Sequence, residues 1–237
     1  MSFLNEFASF FFPNRCPLCS KVQIDNTPCD KCLENLKDCI ILDNLCFKCG
    51  KEERSCSCKG FVPLYTGVVA AFKNTGVAKN GLYGMKFNSK FYSADYFAER
   101  MVYVFRLYLP DVKPDVVCIV PSTVRELRNK SCDQVDLLAS KVAKTLGFKY
   151  EPKLIKKIKE TERQHNLPLS QRASNIKGVF SVVENLNSRT VLLIDDIKTS
   201  GHTLSECAKQ LRLNGAKDVY CLTALVSTNR SCKDEKK

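Results

Sequence analysis

Two adjacent carboxylates, Asp195 and Asp196, stand between an apolar stretch and a small polar loop. The four residues before them, 191–194, are apolar, and apolar residues at helical spacing resume at Leu204. This pattern predicts a buried strand followed by a helix, and in an open α/β sheet ligands bind beyond the carboxyl ends of the strands. Neighbouring carboxylates at such an end can accept hydrogen bonds from the vicinal hydroxyls of a sugar. We therefore interpret these two acids as ribose-holding, candidate catalytic residues.

The polar loop that follows has the composition of a phosphate-binding loop. Backbone N–H groups and hydroxyls ahead of a helix can surround a phosphate, and the helix dipole favours the negative charge. Gly201 permits the backbone conformation that a tight loop needs and lets the phosphate approach closely. The candidate phosphate ligands are Lys198, Thr199, Ser200, Gly201, His202 and Thr203. One stretch of chain could therefore hold a ribose 5-phosphate by both ends.

Cysteine pairs form a second candidate site in the first quarter of the chain. Nine of the fourteen cysteines lie between Cys16 and Cys58. A pair of nearby thiolates supplies half of a tetrahedral zinc site, and two pairs complete a four-sulfur site. The candidate zinc ligands are Cys16, Cys19, Cys29, Cys32, Cys46, Cys49, Cys56 and Cys58. We expect two structural zinc ions, with the pairs grouped either sequentially or interleaved; the alternative is a reduced, metal-free loop.

The elements that must position these residues alternate along the rest of the chain. Apolar runs predict strands at 65–72, 116–120, 191–194 and 219–226 and extended segments within 148–158 and 178–183, while helical spacing predicts helices at 93–109, 132–146 and 204–213. Such alternation predicts an α/β fold, a parallel sheet with helices on both faces. We expect a cysteine-rich zinc-binding module at 1–60, the α/β domain at 61–229 and a disordered tail at 230–237.

The composition argues against a membrane-spanning protein but leaves the ligand open. No apolar run approaches the roughly 20 residues of a membrane span. The apolar start of the chain contains Glu6, lacks a basic region and stops at Pro13, so it is interpreted as a core-docking segment, not a signal peptide. These features predict a cytoplasmic protein whose cysteines bind metal. The net charge of +12 lies almost entirely beyond residue 60, which suits a phosphorylated ligand, a nucleic acid or simply a solvated basic surface.

Three parts of the chain resemble known families. Residues 191–203 resemble the 5-phosphoribosyl 1-diphosphate (PRPP) signature of type I phosphoribosyltransferases: four apolar residues, two acids and a Thr/Ser-Gly-Thr loop. A second segment resembles that of ComF proteins, which join a cysteine-rich zinc module to a phosphoribosyltransferase domain. Its matching residues are Thr161, Gln164, Leu167, Arg172, Asn175, Gly178 and Phe180. The cysteine pairs and residues 86–87 and 120–121 also fall where that family has them, so the resemblance covers nearly the whole chain.

The resemblance implies a fold, a ligand and a biological role. It implies a type I phosphoribosyltransferase-like domain that binds PRPP together with Mg²⁺. It implies diphosphate contacts from Arg125, Arg128 and Lys130, and a mobile lid from which Gln164 and Arg172 reach the ligand. It further implies a part in natural competence, the handling of internalised single-stranded DNA, with competence or recombination proteins as partners.

One segment departs from the family pattern. Where the family has Arg-Gly-Phe/Tyr-Asn-Gln, residues 130–134 read Lys-Ser-Cys-Asp-Gln, so only Gln134 is kept. Lysine lacks the planar fork with which arginine contacts a diphosphate through two hydrogen bonds. Two hypotheses therefore stand: a phosphoribosyltransferase with an unidentified acceptor, or a non-catalytic DNA-binding or adaptor protein on the same scaffold.

Overall fold

A computed structural model describes residues 13–42, 44–56, 58, 62–88, 91–122, 133–159 and 175–228. The helices assigned in these residues are α1 (Asp30–Leu36), α2 (Gly76–Asn88), α3 (Ser93–Tyr108), α4 (Gln134–Leu146) and α5 (His202–Leu213). The strands are β1 (Leu45–Cys46), β2 (Lys51–Glu52), β3 (Gly67–Lys73), β4 (Val116–Ile119), β5 (Ile155–Lys157), β6 (Phe180–Val182), β7 (Thr190–Lys198) and β8 (Asp218–Val226).

Four parallel strands form the central sheet, in the order β3-β8-β7-β4. The register sets apolar residues side by side: Val68 lies opposite Cys221, Cys221 opposite Leu193, and Leu193 opposite Cys118. Strands buried on both faces have continuous apolar sequences, which is why residues 191–194 predict this strand. The predicted parallel sheet is confirmed.

Helices cover both faces of the sheet, as the sequence predicts. Helices α2, α3 and α4 share one core with sheet residues such as Phe72 and Ile194. Helix α5 packs in a second core with Leu193, to which it contributes Leu204 and Cys207. Because side chains alternate across a strand, the neighbours Leu193 and Ile194 belong to different cores.

Helix α2 and the pairing of β5 with β6 differ from the sequence expectation. Helix α2 contains Gly76, Gly81 and Gly84. Because glycine destabilises the interior of a helix, the sequence pattern does not predict this helix. Strands β5 and β6 pair antiparallel with each other, Ile155 opposite Val182, and form a small sheet of their own.

The cysteine-rich segment packs directly against the α/β part of the molecule. Leu18 is buried in the core shared by α2 and α3. Ser93 Oγ, at the start of α3, donates a hydrogen bond to the Pro17 carbonyl at 2.8 Å. Farther along the segment, the buried Glu52 carboxylate pairs with Lys73 Nζ at 2.8 Å, at the end of β3. Buried polar contacts to the start of α3 and to the end of β3, together with apolar packing, therefore hold the segment in place.

Some predictions concern residues that the structure does not describe. The boundary at residues 60 and 61, the tail at 230–237 and the apolar start at 1–12 all lie outside the described ranges, so the division into three parts stays a prediction. Within those ranges, no helix combines the length and the apolar character that a bilayer crossing requires.

Candidate functional site

The carboxyl end of β7 projects past its neighbour β4. Strand β4 ends at Ile119, opposite Ile194, whereas β7 continues to Lys198, which pairs with Val226 of β8. The two acids therefore lie within the strand and not after its end, because pairing with β8 extends β7 beyond its apolar stretch. This step places them at the carboxyl edge of the sheet, where α/β proteins bind ligands.

The two carboxylates have different surroundings. Asp196 is 9% exposed, and its carboxylate accepts a hydrogen bond from Nε2 of Gln134, which is itself 3% exposed. Asp195 is half buried, and its Oδ1 accepts a hydrogen bond from the backbone N–H of Asp196 at 2.9 Å. Successive side chains of a strand point to opposite faces, so Asp196 faces α4 and Asp195 faces the side of α5. A sugar at this edge would meet Asp195 as the more accessible carboxylate.

The start of α4 holds Gln134 in position. Asp133 is the N-cap of this helix, and its carboxylate accepts a hydrogen bond from the backbone N–H of Val135 at 3.0 Å. Such a cap stabilises the first helical turn, in which Gln134 lies. The sequence interpretation does not place Gln134 in the site. The available signal was that Gln134 is the one residue of 130–134 that the family pattern keeps.

The loop between β7 and α5 closes tightly at Gly201. Gly201 is the N-cap of α5 with φ 86° and ψ 0°, in the left-handed region that favours glycine. Its carbonyl accepts a hydrogen bond from the N–H of Ser205 at 2.9 Å, and Ser200 Oγ lies 2.9 Å from His202 Nδ1. A glycine N-cap offers no side-chain acceptor to the first turn, and a bound anion is one way in which such N–H groups are satisfied.

Lys198 lies beneath this loop. Its side chain is 3% exposed, and burial lowers its pKa. A Cβ built on Gly201 would stand 3.0 Å from Lys198 Cε and 3.2 Å from Nζ. The ammonium group therefore contacts the loop from the interior of the protein.

Eight cysteines gather in two groups of four. The first cysteine group is Cys16, Cys19, Cys29 and Cys32, and the second cysteine group is Cys46, Cys49, Cys56 and Cys58. Within each group all four sulfur atoms lie within 4.8 Å of one another, with distances of 3.7 Å in the first group and 3.4 to 3.8 Å in the second. Four sulfurs bound to one zinc ion at about 2.3 Å stand about 3.8 Å apart, so both donor sets fit tetrahedral zinc. Of the two groupings that spacing leaves open, the structure has the sequential one.

Hydrogen bonds favour the thiolate form of one cysteine in each group. Burial opposes ionisation of Cys16, yet backbone hydrogen bonds, that from Cys29 foremost, lower its pKa to about 7. Burial likewise opposes ionisation of Cys56, and hydrogen bonds from the backbone of Cys58 and from neighbouring thiols lower its pKa to about 7. Zinc binds the thiolate, so these two shifts favour metal binding. Burial raises the pKa of Cys19 and Cys32 in the first group and of Cys49 and Cys58 in the second, and a bound zinc ion would offset that cost.

The remaining predicted ligands fall outside the described residues. These are Arg125, Arg128, Lys130, Gln164 and Arg172. Their roles as diphosphate and lid residues stay predictions, whereas the two acids and residues 198–203 are brought together at one edge of the sheet.

Comparisons with known proteins support the resemblance found in the sequence. No protein-family model matches the chain. Over 111 residues, 46% of this chain and 49% of the relative, the chain is 32% identical to DNA utilization protein YhgH of Salmonella typhi. Over 109 residues, 45% of this chain and 48% of the relative, it is 30% identical to competence protein F of Haemophilus influenzae. These relatives, at about 30% sequence identity, confirm the predicted resemblance. The chain spans about half the length of the curated relatives it matches.

Among solved structures, the chain is similar to a purine phosphoribosyltransferase from Pyrococcus horikoshii. It is 16% identical, with a TM-score of 0.35, and the match covers 56% of this chain and 84% of that chain. The fold class itself is established by the four-stranded parallel sheet with helices on both faces.

Proposed function

We propose that this chain binds PRPP with Mg²⁺ at the carboxyl edge of its sheet and acts in natural competence, in the handling of internalised single-stranded DNA. The assignment of PRPP as the ligand rests on the proximity of Asp195, Asp196 and the Gly201 loop, where β7 extends past β4. The biological role is supported by relatives named for competence and DNA utilization.

In this proposal the residues of the site hold the ribose, the 5-phosphate and the metal ion. Asp195 and Asp196 accept hydrogen bonds from the ribose hydroxyls, and Gln134 yields its hydrogen bond to Asp196 or keeps that carboxylate oriented. The first-turn N–H groups of α5 and the hydroxyls of residues 199–203 hold the 5-phosphate. Mg²⁺ usually binds through few protein carboxylates and through substrate phosphates, and the half-buried Asp195 is a suitable ligand. When bound, this ion neutralises negative charge on the diphosphate.

Turnover would be a phosphoribosyl transfer. The bond between C1 of the ribose and the diphosphate oxygen breaks, the diphosphate leaves with that electron pair, and a nucleophile, usually a ring nitrogen, forms the new bond to C1. The protein contributes positioning and stabilisation of the positive charge that develops on the ribose. The acceptor is unassigned.

Calorimetric titration of PRPP, with and without Mg²⁺, tests the ligand. We expect Mg²⁺-dependent binding that is lost when Asp195→Asn and Asp196→Asn are combined. Asp115→Asn is a matched control, because Asp115 lies at the other end of the sheet, where its carboxylate accepts the N–H of Thr190. Binding of equal strength in the double variant would remove the proposal.

We further propose that the two cysteine groups each hold one structural zinc ion, which leaves no coordination position for a substrate. No cysteine in the described part of the chain forms a disulfide, which suits a reducing compartment, and we place the protein in the cytoplasm. Elemental analysis of the purified protein should give two zinc ions per chain; no bound metal would contradict the assignment.

A second candidate function, non-catalytic single-stranded DNA binding, is favoured by an aromatic groove at the opposite edge of the sheet. A cavity of about 350 Å³ there is lined by Phe47, Tyr108 and Tyr220 together with Asp111. Phe47 is 42% exposed, and the exposed Lys48 follows it. Aromatic rings can stack the bases of a single strand, and Lys48, next to Phe47 in sequence, would supply the positive charge.

Fluorescence anisotropy with an oligothymidylate tests this second function. We expect binding that weakens steeply with salt and that Phe47→Ala weakens about ten-fold, because each stacked base contributes roughly 1–3 kcal/mol. Tyr103→Ala, at an exposed aromatic residue of α3, should leave binding unchanged. No affinity at low salt, or equal effects of the two variants, would exclude the groove.

A further inference from the structure

The buried Lys198 side chain lies against the phosphate loop and within electrostatic range of the second cysteine group. On one side its Cε and Nζ lie against Gly201, as described above. On the same side is the Tyr65 hydroxyl, 3.4 Å from a Cβ built on Gly201. That hydroxyl donates a hydrogen bond to the carbonyl of Lys48 at 2.7 Å, and Lys48 stands between the zinc ligands Cys46 and Cys49.

A continuous set of contacts therefore joins the cysteines to the loop. The backbone between Cys46 and Cys49 also accepts a hydrogen bond from the N–H of Val68 through the Phe47 carbonyl at 2.9 Å. Gly50, just beyond Cys49, has φ 70° and packs on the Val68 side chain. This backbone is thus fixed relative to the sheet, and Tyr65 extends the connection from it to Gly201.

The charges along this path are complementary. Four thiolates and one zinc ion carry a net charge of −2, and an ammonium buried nearby offsets part of it. Burial has the largest effect and lowers the pKa of Lys198; Cys49 opposes it most strongly, Lys51 adds to the lowering, and Cys58 and Cys221 oppose it more weakly. Among the described residues, no ion pair joins Lys198 Nζ to a carboxylate, so the cysteine sulfurs are the groups of opposite charge that act on it.

We propose that Lys198 is a positioning residue that couples the second zinc site to the phosphate loop, with its buried ammonium balancing the zinc–thiolate charge on one side and supporting Gly201 on the other. Residues that support metal ligands from outside the coordination sphere commonly change metal affinity 10- to 100-fold when replaced. The coupling is reciprocal, since any ligand that attracts the ammonium toward the loop alters zinc affinity by the same factor as zinc alters ligand affinity. The loop half of this inference rests on the proposed PRPP site; the zinc half does not.

The test measures how fast each cysteine is alkylated when a chelator removes zinc from the full chain, with peptide mass spectrometry reading the two cysteine groups separately. Lys198→Met keeps the length of the side chain and removes its charge. We expect the second cysteine group to be labelled at least about ten-fold faster in this variant, with the first group unchanged. Lys156→Met, at an exposed position of β5, is the control and should label as the wild type does.

If both cysteine groups of Lys198→Met are alkylated at the wild-type rate, the inference is overturned. Equal acceleration of both groups would also overturn it, because that result indicates general destabilisation. Should Lys198→Met fail to fold, Tyr65→Phe removes only the hydroxyl that bonds Lys48 and should accelerate the second group alone; unchanged labelling there would overturn it equally. In the wild type, PRPP with Mg²⁺ should alter labelling of the second group only. If calorimetry shows PRPP binding but labelling does not respond, the coupling fails; if PRPP does not bind at all, the proposed function fails while the chelator result stands.

Discussion

At the scale of single residues, the most consequential contact is a buried one between a neutral amide and a carboxylate. Asp196 and Gln134 are both nearly inaccessible, and the amide donates to the carboxylate. A buried carboxylate that loses its donor keeps the full cost of its lost hydration. Gln134 therefore has a structural role at the site whether or not a sugar is bound.

Replacing Gln134 with Ala should lower the free energy of unfolding by about 1–3 kcal/mol, since it leaves Asp196 without this donor. Urea denaturation gives the measurement, and Gln210→Ala, at a half-buried glutamine of α5 that bonds Glu206, is the control. The same Gln134 change in an Asp196→Ala background should cost less. Equal costs in both backgrounds would show that the two side chains do not interact.

The loop glycine allows a prediction with a matched control elsewhere in the chain. Gly201 and Gly147 have similar φ values, 86° and 75°, but a Cβ on Gly147 meets nothing within 4 Å, whereas one on Gly201 meets Lys198. Gly147→Ala should cost about 1–2 kcal/mol for the left-handed backbone alone. Gly201→Ala should cost about 1 kcal/mol more, because the buried end of the Lys198 side chain must shift by a few tenths of an ångström. Identical thermal shifts for the two variants would contradict the close packing of Lys198 on the loop.

At the scale of elements, helix α2 contains a glycine that lowers its helix propensity but allows close contact with the cysteine segment. A Cβ on Gly81 would lie 2.8 Å from the Pro17 carbonyl oxygen and 3.1 Å from Leu18 Cα. Both of those atoms belong to backbone, which cannot move aside as a flexible side chain would. The first cysteine group is thus seated on α2 through a glycine.

Gly81→Ala should therefore destabilise the protein by about 1–3 kcal/mol through overpacking, although the same change in an open helix stabilises by up to about 1 kcal/mol. Asn80→Ala, at the exposed neighbouring position, should be neutral or slightly stabilising. Thermal unfolding of the two variants, with zinc content of the first group measured alongside, decides the matter. A gain in stability for Gly81→Ala would mean that the cysteine segment does not pack there.

The same elements show what could be predicted from the sequence. The strands of the parallel sheet and the acids beside the loop were predictable because burial on both faces gives continuous apolar runs that end in polar residues. Helix α2 was not, since its glycines serve a contact with a segment remote in sequence. The pairing of Gln134 with Asp196, 62 residues apart, likewise depends on which helix start meets which strand end, and local spacing holds no information about that.

At the scale of the whole molecule, the cysteine groups and the sheet share their packing, so metal binding and overall stability should rise and fall together. Cys16 and Cys56 have pKa values lowered to about 7, below that of an unfolded cysteine. The stability that these two thiolates contribute is therefore present above the ordinary cysteine pKa and is lost as the pH falls through about 7. Burial raises the pKa of Cys32 and Cys58, so in the metal-free protein their contribution runs the opposite way. Protons also compete directly with zinc for these sulfurs.

Lowering the pH from about 8 to about 6 should consequently reduce zinc retention in the presence of a chelator and lower the melting temperature of the whole chain. Metal analysis and calorimetric scans over a pH series give the measurement. A metal-free sample carried through the same series is the control and should show a smaller change in melting temperature. Zinc content that does not depend on pH over this range would contradict the assignment of thiolate ligands.

The place of β8 in the sheet has a consequence for how the chain is made. This strand is central, between β3 and β7, yet it follows every other described strand in the sequence, and its start bonds Thr66 across a separation of 152 residues. During synthesis on the ribosome, β3 and β7 emerge before β8, the strand that lies between them. Apolar strands that are exposed and unpaired in this way are prone to aggregate. The cysteine segment emerges before any of them. Zinc binding could fold it early, and a folded segment seated on β3 would shield that strand until β8 arrives.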